Sequence, residues 1–112
     1  ASGMSGQKFA FNGYLSSKET LLTKELAVLE RKIHTEKQTQ IFIETPYRNQ
    51  KLLNSIIKIC SKQVRLGIAY DITGEEERIE VKTVGEWKLN VPLLNKMPCV
   101  FILGGDGDYW GG

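Results

Sequence analysis

The residues able to do chemistry in this 112-residue chain gather where apolar runs stop. In "QIFIETPYRN", residues 40–49, a β-prone run ends at Glu44, and Thr45, Pro46, Tyr47 and Arg48 follow at once. A second acid, Asp71, closes the run "RLGIAYD", with Thr73 two residues on. Carboxylates at strand ends can act as a pair in hydrolysis, if the fold brings them together. The Arg48 fork suits a phosphate, and pairing with Glu44 is the plainer use of it.

Other chemistries find little support. The chain has one histidine, His34, at the end of a helical pattern, so no Ser/His/Asp or Cys/His set assembles. Cys60 and Cys99 both sit in apolar runs, read as buried reduced thiols, and no CxxC spacing suggests a metal site. Glu75, Glu76 and Glu77 read as a solvated hairpin tip, without the alternating acids of a calcium loop. The tail "GGDGDYWGG" is glycine-rich after a strand, but no helix and no Lys-Ser/Thr pair follow, so residues 106–112 read as a loose terminus. No catalytic and no metal-binding residue is assigned.

Composition narrows the class further. The net charge is +2, with 15 bases and 13 acids interleaved along the chain, unlike the clustered bases of a duplex-binding surface. No apolar run approaches the roughly 20 residues that cross a bilayer, and the start "ASGMSGQKFAF" lacks the pattern of a secretory signal. A cytoplasmic protein without a membrane partner is the expectation.

The elements that position these residues follow from periodicity. "KFAFNGYL" reads as a first strand with Phe9, Phe11 and Gly13 on one face. Ser16 and Glu19 have the spacing of a capping box, and Leu22, Leu26, Leu29 and Ile33 then recur as the core stripe of a helix. "TQIFIET" is nearly continuous in apolar residues, the pattern of a strand covered on both faces. Thr45 is placed to cap a second helix with Pro46 at its first position, and Leu52, Leu53, Ile56, Ile57 and Cys60 form its stripe. "VRLGIAYDI" and "ERIEVKTV" read as two strands turned at Gly74, "VGEWKLN" as a short helix or turn, and "CVFIL" as a fully buried last strand. The sum is a single α/β domain, residues 1–105, with one five-stranded mixed sheet flanked by helices.

Four segments in series resemble the C-terminal domain of the tetrapyrrole (corrin/porphyrin) methylase superfamily. Within it they are most similar to the branch of ribosomal small-subunit methyltransferase I, which methylates a cytidine ribose 2′-oxygen in 16S rRNA. "SGMSGQKFAFNGYL" resembles that branch's SGLP-x-x-x-F-x-F-x-GFLP segment, and "QIFIETPYR" its strand-ending Y-ESPHR, with Glu44, Pro46 and Arg48 matching. "RLGIAYDIT" resembles the strand ending ARELT through Ala69, Asp71 and Thr73, and "PCVFILGG" the closing apolar strand followed by glycine. The chain departs from the branch at Ser16, Tyr47 and Gly74, where proline, histidine and lysine are usual.

The resemblance implies a methyltransferase that uses S-adenosylmethionine, held in a cleft between two unlike domains. Ile43, Glu44 and Thr45 would line one side, Ala69, Tyr70, Asp71, Ile72 and Thr73 the other, with Pro98 and Ile102 contributing less. Tyr47 and Arg48 would reach an anionic substrate, either rRNA or a tetrapyrrole. It also implies a glycine-rich N-terminal domain as partner, with no counterpart in these residues, and a homodimer. This chain would then be half an enzyme, inactive alone. The competing reading is a non-catalytic α/β interaction domain.

Overall fold

The computed structural model describes residues 8–70, 78–94 and 97–105. Its elements run β1 (Lys8–Tyr14), α1 (Glu19–Glu36), β2 (Gln38–Ile43), α2 (Asn49–Ile59), β3 (Arg65–Tyr70), β4 (Arg78–Thr83), α3 (Val84–Leu89) and β5 (Cys99–Gly104). This is the order expected from the sequence. The hairpin tip with Asp71, Ile72 and Thr73, and the glycine-rich tail, lie outside the described residues.

The five strands form one sheet in the order β1-β2-β5-β3-β4. β1 and β2 are parallel, whereas β5 runs antiparallel to both β2 and β3, and β4 antiparallel to β3. The sheet is therefore mixed, with β1, β2 and β3 pointing one way. The crossovers β1-α1-β2 and β2-α2-β3 advance across the sheet in the same direction. Right-handed connections then put both helices on one face.

That face holds the core. Leu22, Leu26, Leu29 and Ile33 of α1 and Leu52, Leu53, Ile56 and Ile57 of α2 are buried in one cluster with Phe42, Leu66, Ile68, Tyr70, Cys99, Phe101 and Leu103 of the sheet. Phe42 and Phe101 stack across the β2–β5 pair with ring centroids 5.9 Å apart. Trp87 of α3 closes one end, its indole N–H donating to the Leu66 carbonyl at 2.8 Å. Both cysteines are buried thiols not joined in a disulfide, as the apolar runs around them suggested.

The opposite face differs from expectation. "TQIFIET" and "CVFIL" read as strands covered on both sides, yet burial alternates along them: Phe42, Phe101 and Leu103 are buried, Ile41, Ile43, Val100 and Ile102 only half-buried. All three helices lie against the first face, so the described residues place no layer on the second.

Helix starts differ as well. α1 has Lys18 at its N-cap with no side-chain cap. The Ser16 backbone N–H donates instead to Glu25, at 2.7 Å, and its hydroxyl accepts from Lys18 N–H. The Ser16/Glu19 capping box is thus replaced by a clasp onto the second turn of the helix. α2 starts at Asn49 after a separate turn closed by Arg48 N–H to the Thr45 carbonyl, at 2.9 Å, so Thr45 opens the turn rather than capping the helix. The capping box that does form is Thr83 with Glu86, at α3.

Candidate functional site: the carboxyl edge of the sheet

Because β1, β2 and β3 run together, their carboxyl ends share one edge with the start of β5. Strand register fixes what meets there. Ile43 pairs with Val100, Val100 with Ala69, and Tyr70 with Cys99. Ile43 and Ala69, 26 positions apart in sequence, therefore flank one residue of β5. Carboxyl edges of open α/β sheets are where ligands commonly bind.

The expected site residues divide between the two faces. Ile43, Val100 and Ala69 share the open face, with Ile102 one step further from the edge on the same side, since it pairs with Ile41 and Gly67. Glu44 and Tyr70 turn the other way, under the helices. Thr45 and Pro98 are half-buried in the loops above the edge. Val100 escaped the sequence reading although it lies nearer the edge than Ile102; strict alternation from Ile102 would have found it.

Glu44 is 9% exposed and fully engaged. One oxygen accepts the Thr45 backbone N–H at 2.8 Å, and the other meets the Arg48 guanidinium at 3.4 Å. Ser16, Ser17, Leu22, Lys51 and Leu52 surround this pair in a shallow pocket. The carboxylate thus shapes the turn that carries Thr45, while Tyr47 is 80% exposed beside it.

Tyr70 is buried, with the Arg78 guanidinium 4.7 Å above its ring. Among the described residues its hydroxyl has no partner in hydrogen-bonding geometry. Burial, and then the nearby Glu80 carboxylate, push the phenol's titration upward, so it stays neutral. Asn49, 1% exposed, was not anticipated. Its amide donates to the Met97 carbonyl and approaches Cys99 Sγ, tying the start of α2 to the segment that leads into β5.

Elsewhere the chemistry is quiet. Burial, and then Glu30, push the Cys60 thiol up to about 12, the opposite of an activated nucleophile. His34 is exposed beside Glu30 at 3.4 Å, an ordinary helix-end pair. Among the described residues no group of three metal-ligating side chains gathers, and no helix is long and apolar enough to cross a membrane. A cleft of about 290 Å³ opens between the end of β1 and α1, lined by Tyr14, Leu15, Val28 and Leu29 with Lys24 at its rim.

No family model and no curated protein matches this chain. Among solved structures, the fold is similar to that of part of a methyltransferase. That protein is CobJ: the likeness has a TM-score of 0.56 at 17% identity and covers 89% of this chain. It covers 42% of the CobJ chain, so the present residues span less than half of that protein. At this identity the likeness establishes the architecture, a five-stranded mixed α/β domain.

Proposed function

We propose that this chain is the C-terminal half of an S-adenosylmethionine-dependent methyltransferase of the tetrapyrrole methylase type. It would contribute one wall of a cleft closed by a glycine-rich partner domain and have no activity alone. The observation that carries the reading is the junction of Ile43, Val100 and Ala69 at the carboxyl edge, in a fold similar to part of CobJ.

The residues at this edge fit the cofactor. Ile43 and Val100 offer an apolar wall for an adenine ring, and the small Ala69 leaves room beside them. The half-buried Thr45, at the turn after β2, would offer its side-chain hydroxyl to a ribose. Asp71 and Thr73 follow β3 directly in sequence and belong to the same proposal. Glu44 serves as a positioning residue, since both its oxygens hold the turn and Arg48 in place.

S-adenosylmethionine supplies a methyl group activated by a sulfonium. The chain's own part is to orient, because in-line methyl transfer depends mainly on the placement of nucleophile, carbon and sulfur. No general base is assigned. The segments matching the rRNA branch favour a ribose 2′-hydroxyl of rRNA as acceptor over a tetrapyrrole, with Tyr47 and Arg48 beside the edge to meet an anionic substrate.

Titration of the isotope-labelled chain with S-adenosylhomocysteine, followed by amide NMR shifts, tests the reading. Saturating shifts at Ile43–Thr45, Ala69–Thr73 and Val100 are expected, with weak affinity. Saturating shifts confined to the cleft beside α1 would overturn the site. An absence of shifts up to the ligand's solubility would favour the interaction-domain reading.

A further inference from the structure

The cleft of about 290 Å³ beside α1 shares no lining residue with the proposed cofactor wall. An irregularity in β1 shapes it. The register with β2 shifts between Phe11 and Tyr14, and Gly13 has φ 67°. Regular alternation would send consecutive side chains to opposite faces; here Tyr14 and Leu15 both line the cleft. Bulges of this kind re-aim side chains and recur next to active sites. α1 supplies the facing wall as two rows with a spacing of four, Lys24 with Val28 and Glu25 with Leu29.

The polar groups of the cleft keep unused hydrogen-bonding capacity. Asn12 donates through Nδ2 to Gln40 Oε1 at 3.0 Å, and the fully buried Gln40 donates in turn to Gln38 Oε1 at 2.8 Å. This chain of amides orients Asn12. Its nitrogen is engaged by the sheet, and its carbonyl oxygen has no partner among the described residues. Glu25 accepts the Ser16 backbone N–H through one oxygen at 2.7 Å, and its other oxygen has no partner there either. Lys24 forms no ion pair among the described residues. Because α1 runs back against β1, Lys24 and Glu25 lie at the end of the cleft near Leu15, and Asn12 toward Val28 and Leu29. Tyr14 and Val28 are 63% and 46% exposed, apolar surface that a ligand would remove from water.

We propose that this cleft binds a free aromatic α-amino acid whose side chain carries an N–H or O–H donor. The base and acid at one end complement a carboxylate and an ammonium held on one carbon, a pair that neither a simple acid nor a simple amine supplies. The apolar middle takes the ring, and Asn12 Oδ1 accepts from the donor at its far side. The volume stands at the lower end for small-molecule pockets, which suits a single amino acid. Both charged contacts are partly solvated, so the affinity is weak. The proposal goes beyond the methyl-transfer reading and does not depend on it.

Titration of the isotope-labelled chain with L-tryptophan, followed by amide NMR shifts, tests this. Saturating shifts at Leu15, Lys24, Glu25, Val28 and Leu29 are expected. Tryptamine, which lacks the carboxylate, and indole-3-propionate, which lacks the ammonium, should each bind about threefold to fivefold more weakly. L-Phenylalanine, without the N–H, should lose about threefold or more. Lys24 is exposed, so Lys24→Ala should keep the fold and weaken tryptophan about threefold to fivefold, with Lys58→Ala, at an exposed lysine of α2, as the unchanged control. No saturating shifts in the cleft up to the solubility of tryptophan overturns the proposal. So does equal binding of tryptamine, indole-3-propionate or phenylalanine, which would leave only an apolar cleft. Binding that Lys24→Ala leaves unchanged, or that Lys58→Ala weakens as much, overturns it too. Saturating shifts at Ile43, Ala69 and Val100 alone would do the same and put the indole against the cofactor wall.

Discussion

Glu44 joins the sequence pattern to the proposed site, and its two contacts differ in kind. The Thr45 N–H is held by a buried acceptor, whereas the Arg48 side chain is 41% exposed and its ion pair is screened by water. Two substitutions separate them. Glu44→Gln keeps an acceptor for Thr45 and loses only the charge, at an expected cost of about 0.5 kcal/mol in urea unfolding. Glu44→Ala leaves the N–H without its partner and should cost about 1–2 kcal/mol. Equal costs would mean that the ion pair, not the turn, is what Glu44 maintains. Sequence alone had left these uses open together with a role in binding. The contacts engage both carboxylate oxygens, which is why the proposal gives Glu44 the turn and gives Ile43, Val100 and Ala69 the wall.

At the scale of elements, α3 shows how a short helix is held. It has six residues, too few to be stable by propensity, and relies on the Thr83–Glu86 capping box and on buried Trp87. Thr83→Ala should destabilise the fold by about 1 kcal/mol and raise hydrogen exchange in α3 before other elements. Hydrogen bonds from the Thr83 backbone and side chain, in that order, hold the Glu86 carboxyl below its ordinary value. Its folded-state pKa is therefore lower than the unfolded one. The contribution is present above the ordinary carboxylate range and disappears as pH falls through the lowered value, so α3 exchange should rise in acid and Glu86→Gln should blunt that rise.

The order and type of the elements were legible because each has a strong period: four buried positions in α1, five in the α2 stripe, alternation in β4. Helix starts were less so. Ser16-x-x-Glu19 has the right letters, but Glu25 reaches Ser16 first; Thr83-x-x-Glu86 has the same letters, and there the box forms. Local spacing cannot decide between partners that packing brings close. The arrangement of the candidate residues was legible only in part for a related reason. The family resemblance named Ile43 and Ala69, but that they meet across Val100 depends on β5, the last strand, inserting between β2 and β3. The division of side chains between two faces, with Glu44 and Tyr70 turned under the helices, likewise needs the register.

At the scale of the molecule, one topology underlies the proposed site. Inserting β5 antiparallel between two parallel strands closes the sheet and aligns three carboxyl ends on one edge. Same-direction crossovers crowd α1 and α2 onto one face and leave the other without a layer among the described residues. The proposed cofactor would sit at that edge, against Ile43, Val100 and Ala69 on the open face. The most direct test of the account's central claim is to record intermolecular NOEs between S-adenosylhomocysteine and the methyl-labelled chain. The account predicts contacts from the adenine and ribose protons to the methyl groups of Ile43, Val100 and Ala69. Contacts instead to Leu15, Val28 and Leu29, in the cleft beside α1, would contradict it.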